Sequence, residues 1–591
     1  MLTIRTHAGE IELDLDEFER RVVRGEIAPD TPVCFPLVTG DAWVPARDLE
    51  IFRGLYRPDR IYFMRYFNLS RFPWITAALV LANLLVFVMM RLEMGAGEGA
   101  VTAAMVDFGA KARPLILDLG ETWRFLTANF VHRDWVHLLF NLFVLFNVGG
   151  ALDNAFRPLD YLFILLASAL GTTVLSFFGS AAVSAGASGV VFGCFGGVIV
   201  FGLKYREIIP PRYRRFFGSS VIPYVVVFLW IGWMSSNTDN WGHLGGLIGG
   251  SLATFALEPR LLQAGVARRR RTVLRAAALL AIVLTVVFAG RLMRPLLPVL
   301  RSDRDDEFGI EIAYPVGWGR SITELGWLGV SNRLRSAGPT YLHVFTEQRA
   351  APIDLTRLAD DWFDLQLHYH EHMGRVRRVR RSPPQETTVA GEPALRYDAA
   401  FELMEGESQG RSYLLRLYVF ARGDLGYTLV FLAPESRFAR YEPVFDRMLA
   451  QVRLAEPAFL RQARAAVLLA PTDPSAYLDL GEAWARVGEG GRAEQALRMA
   501  LRLSPAEPGA YLALARLLLG DPARRSEGFA AVQEALRLLP YQAEPLELLA
   551  DYYLAEGRLA DARAALEAAL EREPRNGLLR DRLRELTSRL R

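Results

Sequence analysis

The sequence predicts a polytopic α-helical membrane protein with six helices plus one in its membrane block. A small N-terminal α+β module precedes that block, and an α+β sandwich-like domain and a C-terminal α-solenoid follow it. Three observations carry this prediction. Apolar runs of spanning length recur between residues 73 and 292. Hydrophobic residues make up 51% of the chain and charged residues 23%, segregated into separate blocks, with a mean hydropathy of +0.16. Prolines at 505, 540 and 574 recur every 34 or 35 residues, a period typical of helical repeats. At 591 residues the length suits roughly three to five domains.

The first segment, residues 1–58, alternates from Ile4 to Leu15, continues in a helix over Glu17 to Arg24 and closes on Ala42-Trp43-Val44-Pro45-Ala46. It has no basic stretch followed by an apolar one, so no cleavable signal peptide is expected and the first span must direct insertion. Net charge is +3, too small to point to nucleic acid. The two cysteines, Cys34 and Cys194, lie in a polar segment and an apolar span, which disfavours a disulfide, and neither has metal-site spacing. No metal or other cofactor is expected.

Candidate spans fall at 73–91, 134–152, 159–178, 188–204, 220–235, 241–257 and 273–292, each near the roughly 20 residues that a bilayer requires. Six form a core over 70–258, and a basic loop with the seventh occupies 259–294. Arg53, Arg57, Arg60, Arg65 and Arg71 precede the first span, Lys204 to Arg215 lie between the fourth and fifth, and Arg260 with Arg268 to Arg271 between the sixth and seventh. Ser235 to Asn240 carry no lysine or arginine. Basic loops stay inside, so the expectation is a multi-pass protein of the bacterial inner membrane with a cytoplasmic N-terminus, and extracytoplasmic C-terminal domains if the seventh span crosses.

That parity starts every even-numbered span at the outer face. Ser188 opens the fourth, His243 opens the sixth, and His137 lies in the first turn of the second, so the three can meet. Asn141 lies one turn beyond His137 on the same helix face. Gly189 and Gly193, with Gly246 and Gly250, form small-xxx-small faces that allow close helix approach. A serine hydroxyl needs a base to become nucleophilic, and His243 is the candidate, returning the proton to a leaving amine. The Ser188 N–H at a helix start, the Asn141 amide and the His137 ring are candidate donors for an oxyanion. No third acidic member is evident, since Asp239 and Asn240 lie at the loop edge. Trp123 and Arg124 are expected to anchor the loop after the first span at the interface, with a snorkelling guanidinium. His132 reads as a brace for that loop. A bland alternative exists for each motif alone, because Ser/Gly-rich apolar helices are common packing devices. Three of the chain's eight histidines, all at motif positions in the membrane block, weigh against it.

Taken together, Gly-x-Ser-Gly at 186–189, His-Leu-Gly-Gly at 243–246, His-x4-His-x3-Asn at 132–141 and Trp123-Arg124 resemble the rhomboid intramembrane serine proteases, over residues 70 to 292. The resemblance implies a Ser188–His243 dyad, an oxyanion hole built with His137 and Asn141, and supporting roles for Gly186, Gly189 and Gly246. It also implies that Phe192 packs against the His243 ring. Asp153 stands where the family often has glutamate. The implied substrates are transmembrane proteins in the lipid bilayer, cut near the outer face.

The flanks point to binding. Residues 1–58 resemble GYF-like modules, a small binding domain, or else form a compact cap without a ligand. Residues 303–455, from Phe308-Gly309-Ile310 through alternating runs at Leu414 to Ala421 and Tyr427 to Leu432 to a helix near Tyr441 to Val452, resemble small PsbP/Mog1-type sandwiches. His368, His370, Glu371 and His372 there read as the solvated face of an amphipathic helix that starts at Leu355. Residues 457–591, with Tyr477 and Tyr511 also 34 apart, resemble about three tetratricopeptide repeats plus a capping helix, which implies a protein or peptide partner on a concave face.

Overall fold

The computed structural model describes the chain apart from residues 8, 59–60, 62–70, 95–99, 208, 210, 236–237, 261–272, 274–275, 278–297, 324–325, 333, 335–337, 350–351, 405–408 and 590–591. It divides into two compact units, Met1–Pro298 with Leu334–Gly338, and Val299–Arg333 with Pro339–Arg591. The predicted seventh span lies, but for Val273, Ala276 and Ala277, outside the described residues.

The N-terminal module is a four-stranded sheet of order β2-β1-β3-β4, formed by β1 (Leu2–Thr6), β2 (Gly9–Leu13), β3 (Pro32–Cys34) and β4 (Val44–Pro45). The alternating run from Ile4 is therefore two strands, paired Leu2 to Leu13 and Ile4 to Ile11. The chain reverses before Gly9, whose φ of +122° favours glycine. A helix over Leu15–Arg24, capped by the Asp14 carboxylate on the Glu17 N–H, buries Phe18 and Val22 against this sheet.

Among the described residues, six longer apolar helices follow. The first three are Trp74–Glu93, Trp135–Ala155 and Pro158–Gly179, each long and apolar enough to cross a membrane. The fourth is Ser188–Lys204, the fifth runs through Gly218–Met234, and the glycine-rich sixth is Asn240–Ala256. The second contains a wider π-turn at Leu145–Gly149. Their outward faces stay apolar, with Val136, Phe143, Trp230 and Trp233 exposed; such a surface belongs in lipid.

Glycine sets the packing of three of these helices. A Cβ on Gly246 would collide with the Gly189 carbonyl oxygen, and one on Gly250 with that of Gly193, so the fourth and sixth helices touch backbone to backbone. The third helix joins by the same means: Gly245 lies on the Gly171 carbonyl and Gly249 on that of Ala167. Asp153 ties the first helix in, accepting the Ile75 and Thr76 N–H groups at 3.1 Å each and the Thr76 hydroxyl at 3.2 Å.

In the second unit, β6 (Ile310–Pro315) pairs with β5 (Leu300–Asp305) on one side and β15 (Arg453–Leu454) on the other, and β7 (Gly319–Thr323), β8 (Gly326–Ser331) and β9 (Tyr341–Gln348) belong to a larger sheet. That sheet has the order β10-β12-β13-β14-β9-β8-β7, with β11 also on β12; the added strands are Val376–Arg381, Gln385–Val389, Glu392–Leu403, Ser412–Arg422 and Leu425–Pro434 for β10 to β14. The two predicted alternating runs form the β13–β14 hairpin. The helix predicted near Tyr441 spans Glu435–Leu449. His368, His370, Glu371 and His372 follow the helix begun at Leu355; none is buried, and His368 Nδ1 lies 2.8 Å from Asp364.

Residues 458–589 are all-helical. Three packed pairs, Pro474–Arg486 with Gly490–Leu503, Pro508–Leu519 with Arg525–Leu538, and Glu544–Ala555 with Leu559–Arg572, are flanked by Ala458–Leu469 and Gly577–Arg589. The sheet and the helices share a seam: the Asp424 N–H at the hairpin tip donates to the Arg486 carbonyl at 2.8 Å, and Arg486 Nη2 donates to Gln348 at 2.6 Å. Gly423 meets the backbone of residues 486–488 so closely that no side chain fits there.

Substituting Gly246→Ala should lower the stability of the fold by about 1–3 kcal/mol, the usual cost of overpacking, because the obstacle is backbone. A melting temperature equal to wild type would contradict the backbone contact. In the repeats, hydrogen bonding and charge from Arg524, at 2.7 and 2.8 Å from the two carboxylate oxygens, hold Glu494 down to about 2. Since this lies below the unfolded value of about 4.3, the pairing stabilises above that value and is lost as pH falls towards 2. Hydrogen-exchange protection over residues 490–538 should fall across that window in wild type, and Glu494→Gln should flatten the dependence.

Candidate active site

The site begins with a turn that only glycine fits well. Gly186 has a φ of +134°, and a Cβ there would lie 2.8 Å from His137 Cε1 and 2.9 Å from its Nε2. The Gly186 N–H donates to the Ala128 carbonyl at 2.9 Å, and the Ala187 N–H to His132 Nε2 at 3.2 Å. His132 is fully buried and so braces the turn that delivers Ser188 to the start of the fourth helix.

On the facing helix, Asp239 caps the first turn, its carboxylate accepting the Gly242 N–H at 3.0 Å. His243 lies in that turn and points at the serine: Nε2 and Ser188 Oγ are 2.8 Å apart. The Phe192 ring stacks on the imidazole at 4.3 Å between centroids and 16° between planes. No described group bonds His243 Nδ1, so stacking, the hydroxyl and the helix start hold the ring.

The second helix brings the remaining candidates. Asp134 caps it by accepting the His137 N–H at 2.8 Å. The His137 ring lies 5.1 Å from that of His132, beside Gly186, and the Asn141 amide nitrogen approaches the same place. Asn141 is 3% exposed, and its Nδ2 has no hydrogen-bond partner among the described residues. A buried donor left open beside a serine can receive an oxygen that becomes negative during reaction.

A family model described as the rhomboid domain matches residues 119–260, the stretch that holds all of these groups. The rhomboid protease GluP of Bacillus subtilis is 35% identical over 218 residues, 37% of this chain and 41% of that protein. YdcA, a second rhomboid protein of Bacillus subtilis, is 30% identical over 140 residues, 23% of this chain and 67% of that protein. The chain belongs to the rhomboid family. It thus spans less than half the length of GluP. A solved thermophilic TPR protein of Thermus thermophilus is similar to 25% of this chain and 77% of its own, at 23% identity and a TM-score of 0.21.

Within the rhomboid core one expectation is corrected. Arg124 does not snorkel to an interface; it is 1% exposed, with Nε on Glu121 at 2.6 Å and Nη1 on the carbonyls of Val106 at 2.6 Å and Ala110 at 2.9 Å. Its plane lies 4.5 Å from the Trp123 ring. Its charge is matched and its donors are satisfied inside the loop, which removes the need to reach water. Sequence reasoning also left Asp239 at the loop edge without a task. An aspartate just before a helical run is an N-cap signal, and that signal was available.

Replacing Phe192 with alanine removes an aromatic pair worth about 0.5–1.5 kcal/mol. On the reading of Ser188 and His243 proposed below, peptide-cleavage kcat should therefore drop roughly two- to tenfold, while Phe192→Tyr should keep most of it. Equal rates for the alanine variant and wild type would show that the ring is held without the stack.

Proposed function

We propose that this rhomboid protein is an intramembrane serine endopeptidase that cuts transmembrane proteins near the outer membrane face. The observation that carries the reading is the 2.8 Å approach of His243 Nε2 to Ser188 Oγ between two helices in backbone contact. Ser188 Oγ attacks the scissile carbonyl carbon while His243 takes its proton. The carbonyl oxygen, now negative, turns towards the Ser188 N–H, Asn141 Nδ2 and His137. Collapse breaks the C–N bond, and His243 gives the proton to the departing amine. Water, deprotonated by His243, then releases the acyl group from Ser188. One well-placed oxyanion donor contributes about 3 kcal/mol to such a step, which is a sufficient task for the open Asn141 amide.

The basic loops before the first span and between the fourth and fifth support a cytoplasmic N-terminus in a bacterial inner membrane. The residues after 299 are then extracytoplasmic if the seventh span crosses. There the solenoid of TPR-like pairs offers a surface for a protein or peptide partner, and the N-terminal module a second binding element on the other side. Supporting groups are Gly186, Gly189 and Gly246 for close approach, Phe192 and His132 for orientation, and Trp123 with Arg124 for the loop.

A fluorophosphonate probe should label wild type and neither Ser188→Ala nor His243→Ala, and both variants should lose at least about a thousandfold in kcat on a transmembrane substrate. Equal cleavage by Ser188→Ala would end the assignment.

A further inference from the structure

Lys111 is a cation that the chemistry above leaves unused. It lies in the loop between the first and second helices and is 0% exposed. Its Nζ donates to the Ser180 carbonyl at 2.9 Å and the Ser176 carbonyl at 3.4 Å, at the C-terminal end of the third helix, where the helix dipole favours positive charge. Its backbone forms an antiparallel bridge to Ser184, with N–H to carbonyl distances of 2.8 and 3.1 Å. Ser184 stands four residues before Ser188. One lysine thus holds both the end of the third helix and the segment that delivers the nucleophile.

Asp239 meets the same cluster from the other side. Besides the Gly242 N–H, its carboxylate accepts the Ser176 hydroxyl and a hydrogen bond from Ser184, and its carbonyl accepts the His243 N–H at 3.1 Å. Burial pushes the Lys111 ammonium down to about 8 against the pull of the Asp239 charge. Burial would raise Asp239, but the Ser176, Ser184 and Gly242 hydrogen bonds and the Lys111 charge outweigh it and hold the carboxyl below its ordinary value. Each charge therefore favours the charged form of the other.

We propose that Lys111 and Asp239 are positioning residues, a pair of opposite charges bridged through Ser176 and Ser184 that registers the Ser188 segment against the first turn of the helix bearing His243. The proposal rests on the reading of Ser188 and His243 as the reacting pair. Neither charge is hydrogen-bonded to the imidazole, although the Asp239 charge also reaches it through space. They act through the two segments whose relative placement sets the Oγ to Nε2 distance, and because no described group bonds His243 Nδ1, the helix start is the main lever on that ring.

The test uses the full chain in proteoliposomes with a transmembrane substrate. Lys111→Met and Asp239→Asn should each lower kcat at least about tenfold, as misplacement of reacting groups does, with KM changed by less than about twofold. The double variant, which leaves no unpaired buried charge, should recover kcat above both single variants. Losses confined to KM, or a double variant no better than the product of its parents, would overturn the proposal. Should a charge variant fail to fold, the Ser176→Ala, Ser184→Ala double variant keeps both charges and removes the two hydrogen bonds that these side chains give Asp239: a lower kcat at unchanged KM supports the proposal, and an unchanged kcat overturns it. Failure of the underlying reading looks different, because Ser188→Ala would then cleave as wild type does.

Discussion

Backbone contact between helices is the constraint on which the rest of this protein depends. Lipid supplies no hydrophobic force to press apolar helices together, so they associate by close packing and by polar contacts. Gly189 and Gly193 on the fourth helix meet Gly246 and Gly250 on the sixth, and Gly171 and Ala167 on the third meet Gly245 and Gly249. One glycine-lined helix is thereby wedged between two others, and it carries His243 in its first turn. A short serine hydroxyl and a histidine ring can bond only when their backbones come this near.

Polar groups enter this packed block under a second constraint, since each must find a partner without water. Many find it locally. The hydroxyls of Ser168 and Thr172 return to carbonyls one turn back at 2.7 Å each, and the Thr76 hydroxyl lies between Asp153 and Tyr161. Others do not, and among the described residues the Asn141 Nδ2 and His243 Nδ1 are two of the buried atoms left without a hydrogen bond. Unsatisfied buried polar atoms are costly, and these two lie beside the turn that carries Gly186 and Ser188.

Much of the core was legible in the sequence because its signals are local and chemical. Long apolar runs give helices, a serine or histidine at the start of such a run gives depth, and a repeat of 34 residues gives helix pairs. What escaped was non-local. Arg124 is buried because carbonyls of Val106 and Ala110 happen to face it, and no spacing rule reports on those. Lys111 pairs with Ser184, 73 positions away, through two backbone bonds. Gly171 is an isolated glycine inside a helix rich in leucine and alanine, and its contact with Gly245 depends on how two helices cross. In the N-terminal module, alternation alone could not separate one long strand from two paired ones. Only the turn before Gly9 decides that.

The seam between sheet and solenoid has a bearing on how this chain can be dissected. Gly423, Asp424 and Gln348 on the sheet are covered by residues 486–488 of the first helix pair, and the Ala455 N–H just ahead of the helices donates to Gly309 at 2.6 Å. A cut at 457 therefore severs a welded joint and leaves the hairpin tip bare. Sheet and first repeat share one backbone seam, so that removing the helices also strips hydrogen-bond partners from the sheet.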